Sequence, residues 1–175
     1  LEKTWKAGLA VLAAGILAFG GLFLAIPKTS AHGSPNMTAR LIVNDNNDVP
    51  DQGWQHTLSS QAGHRLSFTF EIHNTVVGSE AHLVKAKVLF PSGLQNTLNV
   101  VGNVAAQNAN SASDNITINV TSPVSGAQLD YVEGSTRLYW DKDGDGVKEF
   151  NNTPLVDGLV GTGLTLGHQK GCNEF

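Results

Sequence analysis

Apolar residues follow two different rules on either side of residue 31. Before it, positions 7–26 (AGLAVLAAGILAFGGLFLAI) form an uncharged run of 20 residues. As a helix rising 1.5 Å per residue, such a run spans the ~30 Å of a bilayer's hydrocarbon. After it, apolar and polar positions alternate. In 64-HRLSFTFEIHN-74, Leu66, Phe68, Phe70 and Ile72 fall on one side and Arg65, Ser67, Thr69, Glu71 and His73 on the other. That period of two marks a half-buried antiparallel strand. In 82-HLVKAKVLF-90, Val84, Ala86, Val88 and Phe90 are predicted to face a core and Lys85 and Lys87 solvent, with 91-PSG-93 as the closing turn. In 115-NITINVT-121, Ile116, Ile118 and Val120 point inward. Further strands are predicted at 39–44, 95–102, 127–132, 135–140 and 154–160.

Strands recur every ten to fifteen residues with Gly, Pro, Asn and Asp between them, and no amphipathic helix of useful length interrupts them. The pattern predicts an all-β fold, an antiparallel Greek-key sandwich over residues 38–175, joined by a linker at 32–37. A segment of that size can bury one core of normal dimensions.

For residues 1–31 two readings stay open. Lys3 and Lys6 precede the apolar run, Pro27 and Lys28 end it, and 29-TSA-31 fits a small-x-small cleavage site, as in a secretory signal peptide. The length of the run equally fits a retained signal anchor, a transmembrane helix that would tie the chain to the membrane through residues 7–26. A buried core helix fits poorly, because no polar face breaks the run. Both readings export residues 32–175 and leave the basic N-terminus in the cytoplasm. The product is expected to be secreted or anchored at the cell surface.

Composition narrows the partners. The formal charge is −4 and charged residues make up 15% of the chain. No broad basic surface for nucleic acid can be assembled from that. Cys172 is the single cysteine, so an exported fold has no intrachain disulfide and must be stabilised otherwise. The chain starts at Leu1 and stops at 171-GCNEF-175, which reads as a fragment. Sequons at Asn36, Asn115, Asn119 and Asn151 agree with export.

Three stretches, in order, carry a family resemblance: 62-AGHRLSFTFEIHN-74, 83-LVKAKVLFPSGL-94 and 129-LDYVEGSTRLYWDKDGDG-146. Together they resemble the conserved-repeat domain of unknown function found in bacterial and archaeal surface proteins. The resemblance covers roughly residues 38–175. It implies an immunoglobulin-like β-sandwich acting as a structural or adhesive module, with no catalytic residues to transfer. It also implies a last strand beyond Phe175, supplied by a longer chain or by a neighbouring one.

One loop carries candidate chemistry. In 141-DKDGDGVKE-149, Asp141, Asp143 and Asp145 hold positions one, three and five of a DxDxDG loop. Gly146 allows the sharp bend, the Val147 carbonyl supplies the seventh position and Glu149 the ninth. Calcium takes six to eight oxygen ligands, and such loops deliver them. Asn152 stands where an EF-hand has its bidentate Glu, so the site suits a loop between two strands rather than between two helices. Four acidic residues within nine repel one another, and Lys142 and Lys148 offset this only in part. A bound Ca²⁺ would relieve the repulsion and stiffen the loop. The competing readings are a solvated turn and a pair of catalytic acids. Acid catalysis needs two carboxylates facing each other across a cleft, whereas these are crowded on one loop.

The remaining signals are weaker. Asp45, Asp48 and Asp51 in 44-NDNNDVPD-51 read as a turn cluster. None of the six histidines shows H-x-H or H-E-x-x-H spacing, which argues against zinc. No G-x-S-x-G elbow or phosphate-binding loop is present, and nothing beside Cys172 would activate it. The expectation is a non-enzymatic surface or secreted module stabilised by calcium, with neighbouring surface domains or glycans as partners. Two alternatives remain: a carbohydrate-binding sandwich using Trp54, Tyr139 or Trp140, and a fibre subunit assembled by strand exchange.

Overall fold

A computed structural model describes residues 33–47, 52–121, 126–142 and 146–171. The apolar run at 7–26, Asp48, Asp51, Asp143, Asp145 and Cys172 lie outside the described residues. Among the described residues the protein is all-β, without a helix. Its strands are β1 (Met37–Asp45), β2 (Thr57–Gln61), β3 (Leu66–Asn74), β4 (Glu80–Leu89), β5 (Thr97–Ala106), β6 (Ala109–Thr121), β7 (Arg137–Trp140), β8 (Phe150–Pro154) and β9 (Leu164–Lys170).

They form three sheets: β1–β3, the five-stranded β2–β6–β5–β4–β9, and the hairpin β7–β8. All ladders are antiparallel except β2–β6, which is parallel. The pair β1–β3 lies over the large sheet, and the core fills the space between them. Leu41 and Val43 of β1 meet Leu58, Val88, Leu98, Val100, Ile116 and Ile118, all buried, with Leu66, Phe68 and Phe70 of β3 packed against them. A second cluster, Met37, Ala81, Val84 and Val104, continues the core toward the other end. Burying a side chain such as Leu41 or Ile118 contributes about 1.5–3 kcal/mol, so these two clusters hold the sheets together.

Of the inward positions read from the alternation, Val84, Ala86, Val88, Ile116 and Ile118 are buried, and Leu66, Phe68, Phe70, Ile72, Phe90 and Val120 are half-buried. Gly102 shows how close the layers come. A Cβ there would lie 2.7 Å from the Phe70 ring, so the missing side chain is what lets Phe70 cross β5.

The free edge of β1 is completed by side chains. Asn110 Oδ1 accepts from the Met37 N–H at 3.0 Å while Asn110 Nδ2 donates to the Met37 carbonyl at 3.1 Å. Asp114 Oδ2 accepts from the Leu41 N–H at 2.7 Å. Farther along, Val43 and Gln55 exchange backbone bonds. The Met37, Leu41 and Val43 N–H groups of this edge thus have partners, as burial requires.

Several elements differ from the alternation reading. Segment 127–132 makes only a single bridge, Gln95–Ala127, and of 154–160 only Pro154 belongs to a strand, as the end of β8, the rest making the single bridge Val88–Val160. Residues 129–136 are instead tied down by polar contacts. Asp157 Oδ1 accepts from the Tyr131 hydroxyl at 2.7 Å and from the Gly134 N–H at 2.9 Å. These bonds, the Tyr131 hydroxyl foremost, hold the Asp157 carboxyl below the usual carboxylate range. Strands β2, β8 and β9 were not predicted, and β6 starts at Ala109 instead of near Asn115. In β2 (TLSSQ) and in 109-ANSASD-114 the apolar signal is too sparse to show, and the pairing with β6 and β5 supplies the strand. Strand β9 occupies the outer edge of β4.

Candidate metal centre

The acidic loop joins the ends of the β7–β8 hairpin. At its base Trp140 pairs with Phe150 across the strands, and their rings stack at 5.8 Å with 19° between planes. Tyr139 points the other way and is 56% exposed. Its hydroxyl donates to Asn152 Oδ1 at 3.0 Å, and Lys148 Nζ lies 6.0 Å from its ring centroid. Asn152 takes a left-handed conformation, φ +54°, which Asn tolerates better than most residues.

Two carboxylates close the loop on itself. Asp141 Oδ2 accepts from the Gly146 N–H at 2.8 Å, and Glu149 Oε2 accepts from the Lys142 N–H. Gly146 has φ +89°, open to glycine and costly for other residues. The two bonds tie the described ends of the loop to each other, Asp141 to Gly146 and Lys142 to Glu149. Val147 is exposed. Of the five candidate ligands, Asp141, Val147 and Glu149 are described, and Asp143 and Asp145 are not.

Sequence spacing missed a second cluster. Glu80 and His82 on β4 and His168 on β9 present ligand atoms that all lie within 4.8 Å of one another. His82 Nε2 is 3.5 Å from Glu80 Oε2, and the His82 and His168 rings are 4.8 Å apart. Glu80 and His168 are exposed and His82 is half-buried. The ladder explains the meeting. Glu80 pairs with Lys170 and Ala81 with Gln169, and just beyond them the register shifts at a bulge, where the His82 and His168 rings come together. A pocket of about 260 Å³ opens here, lined by Glu80, Lys142, Glu149, His168 and Lys170. The end of the acidic loop therefore faces the histidine cluster across a shared hollow.

A third group has the composition of a catalytic triad without its arrangement. Ser60 Oγ donates to Asp45 Oδ2, and His64 Nδ1 lies 2.7 Å from that same oxygen. Both address the carboxylate, and no bond joins Ser60 to His64 that would activate a nucleophile. Asp45 is buried and also accepts the Asn47 N–H at 2.9 Å on Oδ1. Burial by itself would raise this carboxyl. The bonds from Ser60, His64 and Asn47, with the nearby His64 charge, outweigh that and hold it below the ordinary range. The group ties the end of β1 to β2 and to the turn before β3.

The chain matches no protein family, no curated protein and no solved structure at a significant level. The functional reading therefore rests on these residues.

Proposed function

We infer that this chain is a non-catalytic module of a secreted or membrane-anchored surface protein, an immunoglobulin-like Greek-key sandwich stabilised by Ca²⁺. Asp141, Asp143, Asp145, Glu149 and the Val147 carbonyl are the proposed ligands, and the ion's role is to stiffen the hairpin. The observation that carries the reading is the pair of bonds from Gly146 to Asp141 and from Lys142 to Glu149, which link the two ends of the loop. The all-β architecture supports it. Export through residues 7–26 and assembly with neighbouring surface domains belong to the same reading.

The test is a thermal melt of the metal-stripped chain with and without added Ca²⁺. An ion that binds only the folded state adds about 2.7 kcal/mol at a hundredfold excess over Kd. For a domain of this size that raises Tm by about 10 °C. The rise should vanish in Asp141→Asn/Asp145→Asn. A melt that Ca²⁺ leaves unchanged removes calcium from the reading.

Carbohydrate binding is the second reading, favoured by one observation. Trp54 and Tyr139 are each about half exposed, with Tyr139 held by Asn152 beside the loop. Aromatic faces of this kind stack on sugars. A glycan-array signal abolished by Tyr139→Ala would favour it over a purely structural module.

A further inference from the structure

We propose that Glu80, His82 and His168 form a site for a transition-metal ion of the Zn²⁺ or Cu²⁺ class on the outer face of the β4–β9 pair. Two imidazoles and one carboxylate are a donor set suited to these ions and unsuited to Ca²⁺, so the site is distinct from the acidic loop.

The geometry is near what such an ion needs. Tetrahedral zinc with bonds of about 2.0–2.1 Å sets its ligand atoms ~3.3 Å apart. Glu80 Oε2 and His82 Nε2 are already at 3.5 Å. No separation in the set exceeds 4.8 Å, a gap that rotation of the exposed Glu80 and His168 side chains can close. Three protein ligands leave a fourth position for water or for a donor from a partner.

The backbone is built to hold this arrangement. The ladder breaks between Ala81 and Val84, and Leu83 adopts φ +51°, a strained value for a leucine. The β5–β6 turn clamps that bulge. Asn108 Oδ1 accepts from the His82 N–H at 2.7 Å, Asn108 Nδ2 donates to the Glu80 carbonyl at 2.9 Å, and the Gln107 N–H donates to the His82 carbonyl at 2.8 Å. Bulges re-aim side chains, and this one carries His82 outward against His168. Lys142 and Lys170 line the adjoining pocket and oppose a cation, while Glu80 and Glu149 in the same pocket offset them.

The metal-stripped full chain is titrated with Zn²⁺ alone, then with Co²⁺, whose visible spectrum reports coordination. The expected result is saturable binding of one ion per chain that equimolar Ca²⁺ does not displace. His168→Gln and Glu80→Gln should each weaken it by about 10-fold or more, with His56→Gln, elsewhere on the surface, unchanged. Glu80 precedes the bulge, His168 faces it from β9, and both side chains are exposed, so both variants should melt like the parent without metal and lost binding is not lost folding. Zinc should also shift the imidazole resonances of His82 and His168 and leave those of His56 in place. Unsaturable binding, or equal affinity in His168→Gln, overturns the site. Because Asp141→Asn/Asp145→Asn leaves these ligands intact, failure of the calcium reading would leave this result untouched.

Discussion

Replacing Asp45 by Asn keeps the shape of the side chain and removes its charge, which isolates what the buried carboxylate contributes. In the parent, one oxygen receives Ser60 and His64 and the other the Asn47 N–H. A hydrogen bond to a charged group contributes about 1.5–3 kcal/mol net. Three are altered, but they share one group and are not additive, and the variant no longer buries a charge, which itself costs several kcal/mol. Asn also keeps an acceptor for Asn47. The net loss should be about 2–3 kcal/mol at neutral pH, or a Tm lower by about 10 °C. The pH dependence is the sharper test. The folded carboxyl lies below its unfolded value of about 3.9. Its contribution is therefore complete above that unfolded value and is lost as pH falls through the folded one. Urea melts of both proteins from pH 7 to pH 3 should show a constant gap down to about pH 5, narrowing below about pH 4. A gap that stays flat to pH 3, or an Asn variant as stable as the parent at pH 7, would refute the assignment of a charged, hydrogen-bonded Asp45.

Two further outcomes follow from packing and edge chemistry. Gly102→Ala forces its Cβ into the Phe70 ring and should cost about 1–3 kcal/mol by urea melt, with Phe70→Leu in the same chain recovering part of it. Asn110→Ala strands the Met37 N–H and carbonyl at the buried edge of β1. It should cost about 1–3 kcal/mol and speed amide exchange at Met37 more than at Ile42.

The sequence showed strands wherever the apolar face was continuous, as at Leu66, Phe68, Phe70 and Ile72. It did not show those that exist because a neighbour needs them. Nothing apolar marks 109-ANSASD-114 as a strand. Its Asn110 and Asp114 matter because they bond to β1, 73 residues earlier in the chain. Segment 127–132 erred in the other direction. Its alternating Leu129 and Tyr131 looked like a strand, but Tyr131 is held through its hydroxyl to Asp157 and Thr136. The acidic loop was legible because all its proposed ligands lie within nine residues. A site assembled across a ladder has no such local spacing, which is why a search for H-x-H patterns passed over His82 and His168.

The bulge in β4 joins the fold to that second site. Counting back by twos from the buried Val88, Ala86 and Val84 puts His82 in the core and Ala81 outside. The structure has the reverse, with Ala81 fully buried and His82 at the surface. The inserted residue at Leu83 changes the parity of the strand, so the apolar small residue turns in and the imidazole turns out. Core packing alone gives a sufficient reason to keep Ala81 inside. It gives none for placing a histidine opposite His168, nor for pinning the His82 N–H and carbonyl from the β5–β6 turn. A β4 in which His82 is replaced by Gln should therefore retain the bulge and the stability of the fold. What it should lose is metal affinity, which separates the strand's structural role from its proposed chemistry.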